Sequence, residues 1–219
     1  MKNIFRYERK FIINNLTIPE LENLLRNSAF KFKKNFSERI VNSIYFDNHN
    51  KNSILENLDG NNFKTKFRLR WYGDKRVIKS PVLELKKKES YINYKKLFQI
   101  ENFKKIKFSK KNIEFALKKL KKKYDFLLNK SAISSTHYNR LYFVSSKNNV
   151  RATIDFDINY FDIQNHTNLN KYSKSIILEI KYFNKNDDMV RTNLENISFR
   201  VSKNSKYVNS LMEYPNRII

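Results

Sequence analysis

The most informative stretch of the chain is Lys64-Thr65-Lys66-Phe67-Arg68-Leu69-Arg70-Trp71-Tyr72. Its even positions carry Lys or Arg until Tyr72, whereas its odd positions are uncharged and mostly apolar. Because successive side chains of a β-strand point to opposite faces, the segment predicts a strand with one cationic face and one apolar face. The same alternation of polarity recurs in residues 136–143 and 151–158. If the cationic faces of such strands converge, they form a site for a polyanion.

The composition indicates one basic domain with anionic partners. The chain has 219 residues and a mass of 26.6 kDa, which suffices for a single domain over residues 1–219. Its 45 Lys and Arg against 21 Asp and Glu give a formal net charge of +24, so anionic partners are expected. The absence of Cys excludes disulfides and thiolate metal sites. No segment resembles a transmembrane helix or a secretory leader, so we expect a cytoplasmic protein.

Helices are predicted at three places. Thr17-Ile18-Pro19-Glu20 combines an N-cap, a Pro in the first turn and a capping-box Glu, and predicts a helix to about Phe30. A second helix is predicted from about Ser109, because apolar residues recur there at helical spacing beneath a run of lysines. A third helix near the C-terminus is expected to follow one of two capping serines, Ser202 or Ser205.

Eight segments are predicted as strands from their β-branched and aromatic residues and their alternating polarity. They are residues 4–13, 39–46, 64–72, 81–88, 91–100, 134–144, 150–159 and 175–183. Because strands outnumber helices, we expect an α+β fold with a mostly antiparallel sheet and helices packed outside. An open sheet would turn its polar face to water. A closed barrel of about eight strands would instead enclose side chains or one slender ligand, and cations lining it would repel one another without an anion.

Scarce residue types narrow the chemistry. With only Gly60 and Gly73 in the chain, neither a P-loop nor a dinucleotide-binding glycine motif is possible. The three histidines are scattered, so their spacing supports neither a His-based metal site nor a Ser-His-Asp arrangement. Trp71 lies on the apolar parity, which favours a core position over base stacking, and nucleic acid is not expected as a partner. A phosphate ligand would therefore be held by side chains.

Cations and acids share the charged parity of several predicted strands. One arginine can donate hydrogen bonds to two phosphate oxygens at once. Four arginines lie on the charged parity: Arg68, Arg70, Arg140 and Arg151. Two Glu-x-Lys pairs each share a face, Glu84 with Lys86 and Glu179 with Lys181. A few acids among many cations suit a divalent ion bound to a triphosphate. Three further acids are expected to pair with bases across strands, Glu8, Asp155 and Asp157.

Four motifs stand in order along the chain: KFRLRWYG at 66–73, YNR at 138–140, LEIK at 178–181 and SKNSKY at 202–207. Together they resemble the VTC domain, the polyphosphate polymerase branch of the triphosphate tunnel metalloenzymes. FRLRWYG is the most specific of the four, and the resemblance spans nearly the whole chain. It implies a closed antiparallel β-barrel, or tunnel, whose basic interior binds nucleoside triphosphate and polyphosphate.

The resemblance also implies roles for individual residues. The implied catalytic residues are Arg68, Arg70, Lys86, Arg140 and Lys206. Substrate binding is implied for the same five and for Lys10, Lys95, Tyr138, Arg151, Lys181 and Ser205, with Lys95 preferred to Lys96. Glu179 resembles the family's metal-holding glutamate, and the expected ion is Mn²⁺ or Mg²⁺. Arg6 stands where related tunnel enzymes have the first glutamate of an ExExK signature, which favours the polymerase branch.

The implied activity is metal-dependent transfer of the γ-phosphate of ATP to a growing inorganic polyphosphate chain. The implied partners are ATP and inorganic polyphosphate or pyrophosphate. Two alternatives stay open: a triphosphatase that transfers the phosphoryl group to water, and a non-catalytic domain that binds polyphosphate.

Overall fold

The computed structural model describes residues 6–59, 61–89, 92–145, 149–163, 171–195 and 199–212. The strands in this part of the chain are β1 (Arg6–Ile13), β2 (Lys33–Asp47), β3 (Phe63–Tyr72), β4 (Val77–Ile78), β5 (Val82–Glu89), β6 (Ile92–Gln99), β7 (Ile106–Lys107), β8 (Ser131–Val144), β9 (Arg151–Asp162), β10 (Lys171–Ser173) and β11 (Ile176–Phe183). The α-helices are α1 (Ile18–Asn27), α2 (Asn52–Leu58), α3 (Lys110–Lys121), α4 (Asp187–Glu195) and α5 (Lys206–Met212).

All eight predicted strands are confirmed, as β1, β2, β3, β5, β6, β8, β9 and β11. The predicted start of the first strand at residue 4 lies outside the described residues. Strand β2 begins at Lys33, before the predicted start at Arg39. The prediction missed this first half because it is exposed throughout and shows no alternation of polarity. The short strands β4, β7 and β10 and the helices α2 and α4 are absent from the prediction.

The three predicted helices are confirmed as α1, α3 and α5, and each follows a predicted cap. The Thr17 side chain accepts a hydrogen bond from the Glu20 backbone at 3.5 Å, and the Glu20 carboxylate accepts one from the Thr17 backbone at 2.7 Å. The side-chain oxygens of Ser109 and Ser205 accept from backbone N–H groups three residues on, at 3.3 and 3.4 Å. Helix α1 ends at Asn27, slightly before the predicted end.

The chain divides into two compact units, of which unit 1 comprises residues 1–39, 138–158 and 173–204. Here β11 pairs with β1 and with β9, in both cases antiparallel. One parity of these strands packs with α1 and α4 in a core that includes Phe11, Ile13, Leu21, Leu25, Ala152, Ile154, Leu178, Ile180 and Val190. The charged residues of the same strands therefore lie on the opposite parity.

Unit 2 comprises residues 40–137, 159–172 and 205–219. Strands β2, β3, β5 and β6 follow one another in it as antiparallel neighbours. Their apolar parity packs on α3 in a core that includes Ile44, Phe46, Phe67, Leu69, Trp71, Leu83, Ile113, Leu117 and Leu120. Trp71 is 0% exposed, which confirms the predicted core position. The cations of β3 again lie on the other parity.

The α+β class with a mostly antiparallel, strand-rich sheet is confirmed. Closure of the strands into a barrel stays a prediction, as does a single domain over residues 1–219. None of the helices in the described part of the chain has the length and apolar content needed to span a bilayer.

Candidate anion-binding clusters

The first cluster lies on the charged parity of β3, β5 and β6 in unit 2. The register places Lys66 opposite Lys86, and Lys86 opposite Lys95. In a neighbouring row, Arg68 lies opposite Glu84. Because residues two apart in a strand share a face, one acid and several cations share this surface. We call it the β3 cluster, which consists of Lys66, Arg68, Arg70, Glu84, Lys86 and Lys95.

Glu84 forms ion pairs with three cations of the β3 cluster. Arg68 Nε and Nη2 each lie 2.5 Å from Glu84 Oε2, and Arg70 Nη1 lies 3.8 Å from Oε1. Lys95 Nζ lies 3.0 Å from the same Oε1. Burial alone would raise the pKa of Glu84, but the charges of Arg68, Arg70 and Lys95 lower it to about 2. The carboxylate is therefore ionised at neutral pH and positions the guanidinium groups.

Lys66, Lys86 and Lys95 form a row of like charges across three neighbouring strands. Like charges directly opposite each other destabilise a sheet. Glu84 lies in the adjacent row, where it contacts Arg68 and Lys95 but is the only acid of the β3 cluster. A bound polyanion would relieve the repulsion within the row and accept hydrogen bonds from its ammonium groups.

The start of α5 reaches the β3 cluster. Lys66 Nζ donates a hydrogen bond to Ser205 Oγ at 2.9 Å, and Lys206 follows as the first residue of the helix. The next residue, Tyr207, donates from its hydroxyl to Asp47 Oδ2 at 2.5 Å and stacks on Tyr45 with ring centroids 4.9 Å apart. Ser205 and Lys206 are thus held beside Lys66 by a helix that is fixed from its first turn.

Asp47, at the end of β2, is a fully buried carboxylate. Besides the Tyr207 hydroxyl, it accepts hydrogen bonds from the backbone N–H groups of Asn48 at 2.9 Å and Ser53 at 3.2 Å. Lys130 Nζ lies 3.8 Å away. A buried charge is tolerated only where such partners compensate its lost hydration. Asp47 therefore joins β2, α2 and α5 through one carboxylate.

The second cluster lies in unit 1, where β1 and β11 pair. The register places Lys10 opposite Glu179 and Glu8 opposite Lys181. Lys10 Nζ lies 2.7 Å from Glu8 and 4.0 Å from Glu179, and it donates to the Asn204 carbonyl at 2.9 Å. Lys181 pairs with Glu179 and lies 3.5 Å from Glu8. These four side chains, with Arg140 and Asp155 described below, are called the β11 cluster.

The two glutamates of the β11 cluster are ionised at neutral pH. Burial alone would raise the pKa of Glu179, but Lys181, Lys10 and Arg140 hold it well below its usual range. Burial and the charge of Glu179 likewise raise the pKa of Glu8, and Lys10 and Lys181 outweigh them and lower it. Both carboxylates are therefore available as charged oxygen donors.

These carboxylates fit a divalent metal that takes most of its ligands from phosphate and water. Mg²⁺ is usually bound through one or two carboxylates together with substrate phosphates. Within the described ranges, no three Asp, Glu or His side chains meet as a metal site. Glu179 and Glu8 lie beside the same two lysines. They match a metal bound by one or two carboxylates and substrate phosphates, rather than one held entirely by protein ligands.

Arg140 on β8 is held by Asp155 on β9. Its Nε donates to Asp155 Oδ1 at 2.5 Å and its Nη2 to Oδ2 at 2.7 Å. The guanidinium carbon lies 5.3 Å from the centroid of the Tyr138 ring, which is buried. A guanidinium has five N–H donors, and Asp155 accepts hydrogen bonds from two nitrogens of Arg140. Further N–H donors of Arg140 can therefore bond to a phosphate. Arg151, which is exposed, lies opposite Lys181 in the register.

The structure divides the predicted site residues between the two units. Unit 2 holds Arg68, Arg70, Lys86, Lys95, Ser205 and Lys206, and unit 1 holds Lys10, Tyr138, Arg140, Arg151, Glu179 and Lys181. Lys95 contacts Glu84, whereas Lys96 lies opposite Leu85 on the other parity. The predicted pairing of Glu8 and Asp155 with bases across strands is confirmed, with Lys181 and Arg140 as the partners. Asp157 accepts a hydrogen bond from the Asn139 amide at 3.3 Å.

Two features of the clusters are missing from the sequence prediction. Lys66 is on the charged parity of β3, but its contact with Ser205 joins residues 139 positions apart. No local sequence pattern predicts that contact. The role of Glu84 as the anchor of Arg68 depends on the register between β3 and β5. The alternation that marks β3 would have sufficed to nominate Lys66.

The family model described as the VTC domain matches residues 5–213. An adenylate cyclase candidate from Vibrio parahaemolyticus is similar in structure, with a TM-score of 0.57, 11% identity and coverage of 96% of this chain and 99% of that one. An adenylyl cyclase candidate from Hippeastrum, described as having a dominant triphosphatase activity, has a TM-score of 0.55, 13% identity and coverage of 94% and 95%. A protein from Pyrococcus horikoshii OT3 has a TM-score of 0.51, 14% identity and coverage of 95% and 99%. No curated protein matches this chain.

Proposed function

The chain belongs to the VTC domain family, and on this premise we propose that it is a polyphosphate polymerase. The tunnel enzymes related to this family are phosphoryl-transfer enzymes that act on nucleoside triphosphates and polyphosphates and generally use divalent metal ions. Within that chemistry, the proposed reaction is transfer of the γ-phosphoryl group of ATP to the end of an inorganic polyphosphate chain.

The observation that carries the proposal is the row of Lys66, Lys86 and Lys95 beside Arg68. A single phosphate can occupy only a small part of such a surface. Inorganic polyphosphate carries negative charge on every unit of its length, so an extended array of cations matches it better than it matches one phosphate group. The crowding of like charges in the row supports a ligand that is itself a chain.

The bond changes of the proposed reaction balance without covalent catalysis. A terminal oxygen of the acceptor chain attacks the γ-phosphorus of ATP, and the bond between that phosphorus and the oxygen bridging to the β-phosphate breaks. ADP leaves, and the acceptor is longer by one phosphate. Such transfers depend mainly on alignment and on stabilisation of charge over the transferred group.

Each cluster offers, within its own unit, groups suited to stabilise charge on phosphate oxygens. Arg68 and Arg70 are positioned by Glu84, and Arg140 by Asp155, so their remaining donors need little reorganisation to meet phosphate oxygens. Lys10, Lys86, Lys95, Lys181, Arg151 and Lys206 add positive charge, and Tyr138 and Ser205 contribute hydroxyl groups.

A divalent metal is part of the proposal, as Mn²⁺ or Mg²⁺. Glu179 would hold it, with Glu8 as a second oxygen donor and phosphate oxygens completing the coordination. When bound, the ion would neutralise charge on the phosphates. The lysines that now neutralise Glu179 would then be released to contact phosphate, because the metal takes over their role at the carboxylate.

The second candidate function is a triphosphatase. The same cations would hold a triphosphate, and water would replace the acceptor chain as the nucleophile. The array of cations beyond Arg68 and Arg70 favours the polymerase, because hydrolysis needs no surface for a long product.

The products distinguish the candidates. Purified protein is incubated with ATP, Mn²⁺ or Mg²⁺ and a pyrophosphate primer, and the products are separated by gel electrophoresis. A ladder of polymers supports the polymerase, and orthophosphate without a ladder supports the triphosphatase. Binding of polyphosphate without turnover of ATP would support the non-catalytic alternative. The cytoplasmic location stays a prediction.

A further inference from the structure

Three side chains of unit 1 form an exposed surface of two rings and a guanidinium group: Phe36 and Arg39 on β2 and Tyr142 on β8. Phe36 is 50% exposed, and its ring meets that of Tyr142 edge-on with centroids 5.7 Å apart. The guanidinium carbon of Arg39 lies 4.8 Å from the Phe36 centroid and 5.6 Å from that of Tyr142. We call these three residues the Phe36 surface.

The Phe36 surface adjoins the β11 cluster within the same unit. Tyr142 follows Arg140 by two residues on β8, so the two side chains share a face. The guanidinium carbon of Arg140 lies 6.0 Å from the Tyr142 centroid. A phosphate held by Arg140 would therefore lie next to the aromatic rings.

An exposed aromatic residue by itself needs no functional explanation. Phe36 differs from an isolated one because a ring edge and a guanidinium already contact it. Nucleobases bind to proteins by stacking on aromatic rings and on arginine planes. The Phe36 surface offers an aromatic ring and an arginine plane for a base, and Arg140 beside it is suited to bind a phosphate. Together these groups could form a nucleotide site.

We propose that the Phe36 surface binds the base of the nucleoside triphosphate whose phosphates contact Arg140; this inference rests on the proposed function. Inorganic polyphosphate has no base to stack, so the Phe36 surface would not contribute to its binding. Purine nucleotides are expected to bind more tightly than pyrimidine nucleotides, because a purine presents the larger π face.

The test compares ATP with inorganic tripolyphosphate, which carries the phosphates without the base. Calorimetric titration in Mg²⁺ measures both affinities for the unmodified protein and for Phe36→Ala. We expect Phe36→Ala to weaken ATP binding at least about fivefold and to leave tripolyphosphate binding unchanged, since stacking of one base is worth about 1–3 kcal/mol. Phe36→Leu, which keeps apolar bulk in the strand but has no π face, is expected to behave in the same way.

Phe115→Ala is the matched control. Phe115 on α3 is 59% exposed and has Lys119 Nζ 4.5 Å from its ring centroid, so its loss removes a similar ring under a cation in the other unit. It should change neither affinity. Equal weakening of both ligands in the Phe36 variants, or no change in either, overturns the base site and leaves the proposed function standing. If the unmodified protein binds neither ATP nor tripolyphosphate, both the proposed function and the base site are contradicted.

Discussion

Lys66 on β3 lies directly opposite Lys86 on β5, and Lys86 in turn lies opposite Lys95 on β6. Three lysines thus occupy one row of an antiparallel sheet. Like charges directly opposite each other destabilise a sheet. We expect such an arrangement to lower the stability of the ligand-free protein and to favour binding of a chain of phosphates.

Lys86→Met should therefore act in opposite directions on stability and binding. We expect it to raise the melting midpoint of the ligand-free protein by about 1–3 °C at low ionic strength. We also expect it to reduce the further increase in midpoint that tripolyphosphate produces. Differential scanning calorimetry with and without tripolyphosphate measures both effects. Lys96→Met is the control, because Lys96 lies opposite Leu85 on the other parity of β6. An undiminished response of Lys86→Met to tripolyphosphate would argue against the row as a phosphate site.

Glu84 should make the stability of the protein depend on pH in the acidic range. Its pKa is about 2 in the folded protein against 4.5 for an ordinary Glu, so the unfolded chain takes up the proton first. The stabilisation is complete above about pH 4.5 and is lost as the pH falls towards 2. Because Glu84 is buried, the shift corresponds to about 3 kcal/mol at neutral pH.

Urea denaturation of the unmodified protein and of Glu84→Gln between pH 7 and pH 3 tests this dependence. The difference in the free energy of unfolding should be largest at pH 7 and should shrink below pH 4.5. Glu114→Gln, at an exposed position of α3, should show no such trend. A difference between the two proteins that stays constant down to pH 3 would mean that Glu84 is not held ionised by its arginines.

Glu179 should determine the metal requirement of the reaction. Glu179→Gln removes the charged donor, so the Mn²⁺ concentration for half-maximal activity should rise about tenfold or more. Asp188→Asn, at an exposed position of α4 in the same unit, should leave this concentration unchanged. Activity assays over a Mn²⁺ titration give the values. An unchanged metal requirement in Glu179→Gln would assign the ion to other residues.

Tyr207→Phe should loosen the helix that carries Ser205 and Lys206. It removes one hydrogen bond from the buried carboxylate of Asp47, which costs about 1–3 kcal/mol of unfolding free energy. Denaturant titration measures the loss, with the exposed Tyr94→Phe as the control, expected within about 0.5 kcal/mol of the unmodified protein. A loss no greater than that of the control would show that Asp47 does not depend on Tyr207.

The strands could be predicted from the sequence because a period of two is visible within each segment. In β3 the alternation assigns Lys66, Arg68 and Trp71 to their faces without reference to any other strand. Helix α2 has 7 residues and α4 has 9, so neither is long enough to display a helical period clearly. Local patterns therefore predicted the long elements and missed the short ones.

The arrangement of the clusters depends on register and on distant contacts, which local patterns do not contain. That Lys86 is flanked by two other lysines follows from the pairing of three strands. The hydrogen bond from Tyr207 to Asp47 joins residues 160 positions apart. Motifs such as FRLRWYG predict most of the cations of the two clusters, and the structure adds which acid contacts which cation.

Isotopic labelling of ATP shows whether its γ-phosphoryl group is transferred to a growing polyphosphate chain. In one reaction the γ-phosphate carries the label and in a second the α-phosphate, each with Mn²⁺ and a pyrophosphate primer. We expect the γ-label to enter the polyphosphate chain while the α-label stays in ADP. Recovery of the γ-label only as orthophosphate, with the primer unchanged, would contradict transfer to a growing chain.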